Sequence, residues 1–471
     1  MQDTVFREYD IRGIVDSEFS FSDIYQLGRA IFAYCLDQKK IKTVLLGQDG
    51  RVSSPIIAQH IINAALDSGL DVVHVGIVPS PVVYFGMHEQ KGDIGIMITA
   101  SHNPGHYNGI KIMLGERCVW GKEIQLIKQY FTESKKANIG KIGVLYQDKD
   151  FLNLYIDYLV KHFPILHNSP LPVIFDCGNA VAGVVMPLLI QKFNWAQATL
   201  LYETIDGSFP VHEADPTVEK NMQHLKDAVI HNAACVGIGF DGDADRMAAV
   251  SETGALFLGD VLLAIFATAL PKSFCHLGIV FNVTMSSALQ ELCAQHNMPV
   301  FMAPTGHAII KESMKKNKAV LGGEGSCHFF FADRYFGYDD GIYAALRLLE
   351  IISLTGKKVS ELAAVLPKRY SSCEYRIACA DQYKKFVVAQ VKDAFMLNNN
   401  ARLLTIDGVR AEFAIGWGIV RAANTQPAVS MRFESTTKEG LLEIKNLFYA
   451  ILKPYLGPPL DIIFKDSTHD Q

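Results

Sequence analysis

Short apolar runs alternate with longer amphipathic stretches along most of this chain. The runs at 44–47, 72–78, 94–99, 173–175, 235–240 and 279–281 are rich in β-branched residues and bounded by turn formers, so each predicts a buried strand. The stretches at 55–68, 151–162 and 340–353 carry helical periodicity, and an apolar helix is expected to open near Gly259. A further strand is expected from near Lys318 into Gly322-Gly323. This alternation predicts βαβ units around largely parallel sheet. Beyond Pro367 the pattern changes. Residues 406–415, 418–421 and 429–433 alternate as antiparallel strands do, with helices before and after them, which predicts an α+β C-terminal domain. Boundaries are expected at 1–150, 151–255, 256–367 and 368–471, and the similar size of the first three units hints at divergent duplication.

Composition narrows the class. The 471 residues are 49% hydrophobic and 20% charged, as in soluble globular proteins with sizeable cores. A net charge of −5 gives no support for a polyanionic partner, so no nucleic acid is expected. Nine scattered cysteines without a CxxC pair suggest reduced thiols and a cytoplasmic location. No secretory leader is read at Met1-Gln2-Asp3-Thr4. The longest apolar stretch, 261–270, lies between Asp260 and Pro271 and is too short to span a bilayer, so no membrane role is expected.

Five segments carry chemistry. Thr99-Ala100-Ser101-His102-Asn103-Pro104 places a hydroxyl beside an imidazole where an apolar strand stops at an Asn-Pro turn. Strand ends are where open α/β sheets hold their ligands. Asp241-Gly242-Asp243-Ala244-Asp245-Arg246 follows the strand at 235–240 and sets three carboxylates at alternate positions of a tight turn. Such carboxylates can converge on one hard cation, since Mg²⁺ wants about six oxygens and readily shares its shell with a phosphate. An EF-hand reading, suggested by Glu252 at the twelfth position, fails because Arg246 occupies the sixth, where glycine is needed. Gly322-Gly323-Glu324-Gly325-Ser326-Cys327-His328 is a glycine-rich strand end, and a carboxylate there can accept two hydroxyl hydrogens. Arg421-Ala422-Ala423-Asn424-Thr425-Gln426-Pro427 joins two expected strands with donors suited to a phosphate. Phe6-Arg7-Glu8-Tyr9-Asp10-Ile11-Arg12-Gly13 opens the chain. Singly, each has a bland reading as a turn, an acidic surface loop or a polar hairpin. Jointly they fit phosphoryl transfer, in which a serine phosphate brings nearly two negative charges, a cation offsets them, and a neighbouring acid/base such as His102 or Lys111 moves the proton.

The first hexapeptide, followed by Tyr107-Asn108-Gly109-Ile110-Lys111, resembles the phosphoserine loop of the α-D-phosphohexomutases. The other segments, in order, resemble their phosphomannomutase/phosphoglucomutase branch. The resemblance implies a four-domain, heart-shaped α/β architecture, with three α/β domains of mixed sheet and the α+β C-terminal domain. It implies reversible conversion of hexose 6-phosphate and hexose 1-phosphate, of mannose or glucose, through phospho-Ser101 and a hexose 1,6-bisphosphate that is both intermediate and activator. Asp241, Asp243, Asp245 and an oxygen on Ser101 would hold Mg²⁺, and Arg246 would contact the reacting phosphate. Tyr9 and Arg12 would face the cleft. Glu324 and Ser326 would bond sugar hydroxyls, with His307 and Lys311 beside them, and Arg421, Asn424 and Thr425 would anchor the other phosphate. The expected partners are sugar phosphates alone, in a monomer or weak homo-oligomer. Four positions depart from the family pattern: Gln48 for arginine, Gly325 for methionine, Cys327 for glycine and Ala423 for serine. The altered sugar loop keeps a phosphoglucosamine mutase as the first rival. A non-catalytic sugar-phosphate-binding homologue and a metal-dependent phosphatase follow it.

Overall fold

The strand Ile94–Ile98 is buried at every residue, as its unbroken apolar composition requires of a strand covered on both faces. In the computed structural model, which describes residues 1–137, 140–398, 401–423 and 427–465, it lies within a seven-stranded mixed sheet. That sheet runs Ile11–Ile14, Tyr107–Leu114, Ile94–Ile98, Thr43–Gln48, Asp71–Ile77 and Leu145–Gln147, with Arg117–Cys118 paired to Tyr107–Leu114. The strands from Ile94–Ile98 onward are parallel, while Tyr107–Leu114 is antiparallel to both of its neighbours on the main path. Ile31 of the helix Phe21–Gln38 and Ile61 of Ser54–Asp67 share one apolar core with Val44, Leu46 and Ile96.

A second mixed sheet, ordered Leu256–Phe257, Met247–Ser251, Val236–Phe240, Val173–Asp176 and Ala198–Leu201, brings the acidic turn to the end of its central strand. Both sheets belong to one compact unit made of residues 1–269 and 326–363. The helices Phe151–His162, Gly259–Thr268 and Gly341–Thr355, expected from periodicity, belong to it too.

The second unit, residues 270–325 and 364–471, holds two further groups of strands. Val300–Ala303, Ile279–Asn282 and Leu321–Gly323 are parallel. Tyr370–Ser371, Ala428–Ser435, Gly416–Ala422, Val409–Phe413 and Arg402–Leu404 form an antiparallel sheet, to which Tyr375–Ala378 adds at Ala428–Ser435. The helices Asp381–Asn398 and Lys438–Leu456 flank the four strands from Arg402 to Ser435 in sequence and share their core through Phe395, Phe433 and Phe448.

Two expectations fail locally. Lys318 does not begin a strand: it ends the helix His307–Asn317 in the left-handed conformation, and the strand starts at Leu321. Residues 406–408 do not extend the strand at Val409, because Gly408 turns there with φ +77°.

Candidate active site

In the first unit the serine loop is built on a strained residue. Ser101 has φ +50°, a left-handed conformation that costs a non-glycine residue about 1–2 kcal/mol and concentrates at functional sites. Its amide donates to Thr99 Oγ1 at 2.9 Å. Its hydroxyl donates to Asp241 Oδ2 at 2.7 Å and lies 3.2 Å from His102 Nδ1. The buried Arg51 guanidinium holds the loop from below, donating to the carbonyls of Ser101 at 2.8 Å, Pro104 at 2.6 Å, Tyr107 at 3.0 Å and Asn103, while Asp49 pairs with Nε at 3.0 Å. Support for the serine loop therefore comes from Arg51, and Gln48 does not remove it. Arg12 reaches the same loop through Asn103 Oδ1 at 2.8 Å, whereas Tyr9 packs against Trp120 with ring centroids 6.2 Å apart.

The aspartate loop meets this one closely. A Cβ on Gly242 would stand 2.3 Å from the carbonyl oxygen of Ser101, so only glycine allows the approach. Asp241, Asp243 and Asp245 are fully buried, with one oxygen from each within 4.8 Å of the others. Lys111 donates to Asp243 Oδ2 and Asp245 Oδ2, both at 2.6 Å. It reaches them because Lys111 pairs with Met97 in register, on the strand beside the one that ends at Ser101. Ser80, buried at the start of the helix Ser80–His88, bonds Asp243 through its hydroxyl and accepts no part of the sequence signal. It is one of two residues that sequence reasoning missed.

The other is His328. Arg246 Nε donates to His328 Nε2 at 2.9 Å and lies 3.8 Å from Asp241 Oδ2. Since arginine has only donors, Nε2 is the acceptor and the ring proton sits on Nδ1. Nδ1 faces Asp339 Oδ2 at 3.1 Å and Asp245 Oδ1 at 3.5 Å. The glycine-rich loop held the signal, but its carboxylate drew the attention. Cys327 beside it has φ +69°, where a glycine would be unstrained.

Charge divides the titratable groups. Burial, and then the charges of Asp245 and Asp243, push Asp241 well above the usual carboxylate range. Burial opposes ionisation of Asp243 too, but the Lys111 ammonium outweighs it and holds that carboxyl below its ordinary value. Burial alone would strip the proton from Lys111, yet Asp243 and Asp245 raise its pKa well above the usual lysine value. Lys111 therefore stays an ammonium and is unsuited to accept a proton at neutral pH.

A hard cation fits the aspartate loop. Asp243 Oδ1 and Asp245 Oδ1 are buried and have no hydrogen-bond partner among the described residues, and an all-carboxylate donor set suits a divalent ion of the magnesium class.

In the second unit Glu324, buried, accepts from the Gly306 amide at 2.7 Å. His307 begins its helix, with Lys311 Nζ 3.4 Å from its Nδ1. A Cβ on Gly325 would meet only ordinary contacts, Thr284 Oγ1 at 3.6 Å and Arg432 Nη1 at 3.7 Å. Arg421 is held by Asp407 Oδ2 at 3.0 Å, while Asn424 and Thr425 lie outside the described residues. Ser326, half-buried, belongs to the first unit.

A buried serine hydroxyl bonded to a three-aspartate loop in an α/β fold defines a class of phosphoryl-transfer protein, and comparison with known families agrees. The phosphoglucomutase/phosphomannomutase α/β/α domains I, II and III match residues 3–138, 153–254 and 258–370, and the family's C-terminal domain matches 374–451. The chain belongs to the phosphoglucomutase/phosphomannomutase family of enzymes. A phosphomannomutase/phosphoglucomutase of Pseudomonas syringae pv. tomato is 38% identical over 469 residues, covering 98% of each chain. A phosphoglucomutase of Neisseria gonorrhoeae is 36% identical, covering 97% of this chain and 98% of its own. The crystal structure of a phosphoglucomutase/phosphomannomutase family protein from Burkholderia thailandensis has a TM-score of 0.88 at 30% identity, over 96% of this chain and 98% of that one.

Proposed function

We propose that this enzyme interconverts hexose 6-phosphates and hexose 1-phosphates of glucose and mannose, with Ser101 as the phosphoryl carrier. The observation that carries the reading is the Ser101 hydroxyl, on a left-handed backbone and 2.7 Å from Asp241 Oδ2. In the first transfer the bond from phosphorus to the Ser101 oxygen breaks and one to the free sugar hydroxyl forms, giving a 1,6-bisphosphate. The hydroxyl proton passes to an imidazole. His102 is the better placed of the two, with Nδ1 3.2 Å from the Ser101 oxygen, to which it hands the proton as that oxygen leaves, whereas His328 already accepts from Arg246 at Nε2 and carries its own proton on Nδ1. The second transfer reverses this, returning the other phosphate to Ser101. Arg246 contributes a fixed positive charge at the transferring group. Asp241, Asp243 and Asp245 would hold Mg²⁺, which supplies electrostatic stabilisation of the transferring phosphoryl group. Arg421 would anchor the phosphate that is not reacting, and Glu324, with Ser326 and His307, would read the hexose hydroxyls. The boundaries expected from sequence would separate these tasks: serine loop, metal loop, sugar loop and phosphate anchor. Nine free cysteines support a reducing, cytoplasmic setting.

The test follows both phosphate and sugar. Intact mass should show an added HPO₃, about 80 Da and roughly two negative charges at neutral pH, that is absent in Ser101→Ala. Phosphorus NMR should show glucose 1-phosphate and mannose 1-phosphate becoming their 6-phosphates, stimulated by bisphosphate and stopped by chelation. Full turnover by Ser101→Ala would sink the reading. A strong preference for glucosamine 1-phosphate would replace its sugar specificity.

A further inference from the structure

The second unit contains a bond path from the phosphate-anchoring arginine to the hydroxyl-reading glutamate, and one carboxylate sits at its centre. Asp407 Oδ2 accepts from Arg421 Nε at 3.0 Å and from the Thr305 amide at 3.1 Å. The next amide, Gly306, donates to Glu324 Oε1 at 2.7 Å. Two successive N–H groups of one short loop are thus divided between Asp407 and Glu324. The Asp407 side chain is 13% exposed and that of Arg421 is 7%, so water competes little for these bonds.

The local backbone brings these two residues close together. Gly408 has φ +77°, and a Cβ there would lie 2.2 Å from Val420 O and 2.7 Å from Arg421 Cα. The turn is pressed directly against the strand that carries Arg421, with Val409 opposite Val420 in register. Asp407 therefore meets the guanidinium at Nε and orients the planar fork. The far side of that fork lies 3.4 Å from Ser430 Oγ and 3.8 Å from Glu374 Oε1.

We infer that Asp407 is a positioning residue that sets the Arg421 fork and the Thr305–Gly306–Glu324 loop in register, so that one sugar phosphate is read at its anchored phosphate and its hydroxyls together. The inference rests on the proposed roles of Arg421 and Glu324. It gives Asp407 no contact with substrate. Its expected signature is a loss of ground-state grip with the chemistry preserved.

The experiment measures kcat and KM for glucose 1-phosphate in the full-length enzyme and in Asp407→Asn, Asp407→Glu, Arg421→Ala and the Asp407→Asn/Arg421→Ala double variant. Asp407→Asn should raise KM about tenfold with kcat within about threefold, and Asp407→Glu should recover part of the loss. The double variant should lose less than the product of the two single losses, because the part of the positioning that acts through the guanidinium is already gone in Arg421→Ala. Ser101 phosphate occupancy, a property of the other unit, should be unchanged in every variant. Independent multiplication of the two losses, or a kcat fall that matches a lowered melting temperature, would reduce Asp407 to a structural residue. An unaltered KM in Asp407→Asn would overturn the inference while wild-type turnover left the functional reading intact. Absence of wild-type turnover on any hexose phosphate would remove that reading, and the inference with it.

Discussion

At the scale of single residues, sequence suggests Lys111 and His102 alike as proton carriers, and the structure separates them. A lysine beside a nucleophilic serine reads as a proton carrier, yet here it is fixed between two buried carboxylates at 2.6 Å each. Its removal would leave buried negative charge unpaired, which costs about 3–5 kcal/mol. Lys111→Met should therefore lower the melting temperature as well as activity. His102→Ala should behave differently. Losing a general acid/base costs about 10²–10⁴-fold in rate, so kcat should fall into that range while thermal stability and Ser101 phosphorylation stay near wild type. Stopped-flow phosphoryl transfer from the phosphoenzyme, with thermal melts alongside, separates the two variants. A kcat within threefold of wild type in His102→Ala would remove His102 as the proton carrier.

At the scale of elements, the Ser101 and Asp241 loops touch without a side chain at Gly242 between them. The strand Ile94–Ile98 and the strand Val236–Phe240 each end in a turn, and the carbonyl of Ser101 occupies the space where Gly242 has no Cβ. A methyl group at 2.3 Å from that oxygen lies far inside van der Waals contact, and the obstacle is backbone, so one loop must move. Gly242→Ala should keep the circular dichroism of the fold and lose at least about a hundredfold in kcat/KM, since about 1 Å of misplacement has that effect. Wild-type kcat/KM in this variant would mean that the two loops need not meet during the reaction.

At the scale of the whole molecule, one buried acid ties stability to pH. Asp340 caps the helix Gly341–Thr355 through the Tyr343 amide at 2.8 Å and accepts from the Tyr155 and Tyr335 hydroxyls. Burial pushes it up to about 6 despite those bonds. An unfolded aspartate titrates near 3.9, so the folded state holds the extra proton between the two values. The stability this confers is complete below about pH 4 and is lost as pH rises through 6. Relative to Asp340→Asn, which has no such proton, the wild type should lose about 1.4 kcal/mol between pH 5 and pH 7.5. Urea unfolding at both pH values measures it, and a wild-type-minus-variant difference independent of pH would refute the assignment. Among the described residues no helix is long and apolar enough to cross a membrane, in line with the short apolar run at 261–270.

The linear sequence by itself determined the strands at Ile94–Ile98 and Val236–Phe240, the helix Phe151–His162, and three of the six antiparallel C-terminal strands, Val409–Phe413, Gly416–Ala422 and Ala428–Ser435. Each depends on local periodicity, and a buried strand or an amphipathic helix declares its own pattern. The serine and aspartate loops were legible for a related reason: their residues lie within six positions of one another. Tertiary structure alone decided which charges meet. Ser80 and Asp243 are separated by 163 positions, Lys111 and Asp245 by 134, and Arg246 and His328 by 82. No local pattern encodes such pairs, because a side chain's partners across a cleft depend on strand register and loop closure rather than on its neighbours in the chain. The protonation of Lys111, the tautomer of His328 and the raised Asp340 all follow from burial among those distant partners, so they became readable only once the chain was folded.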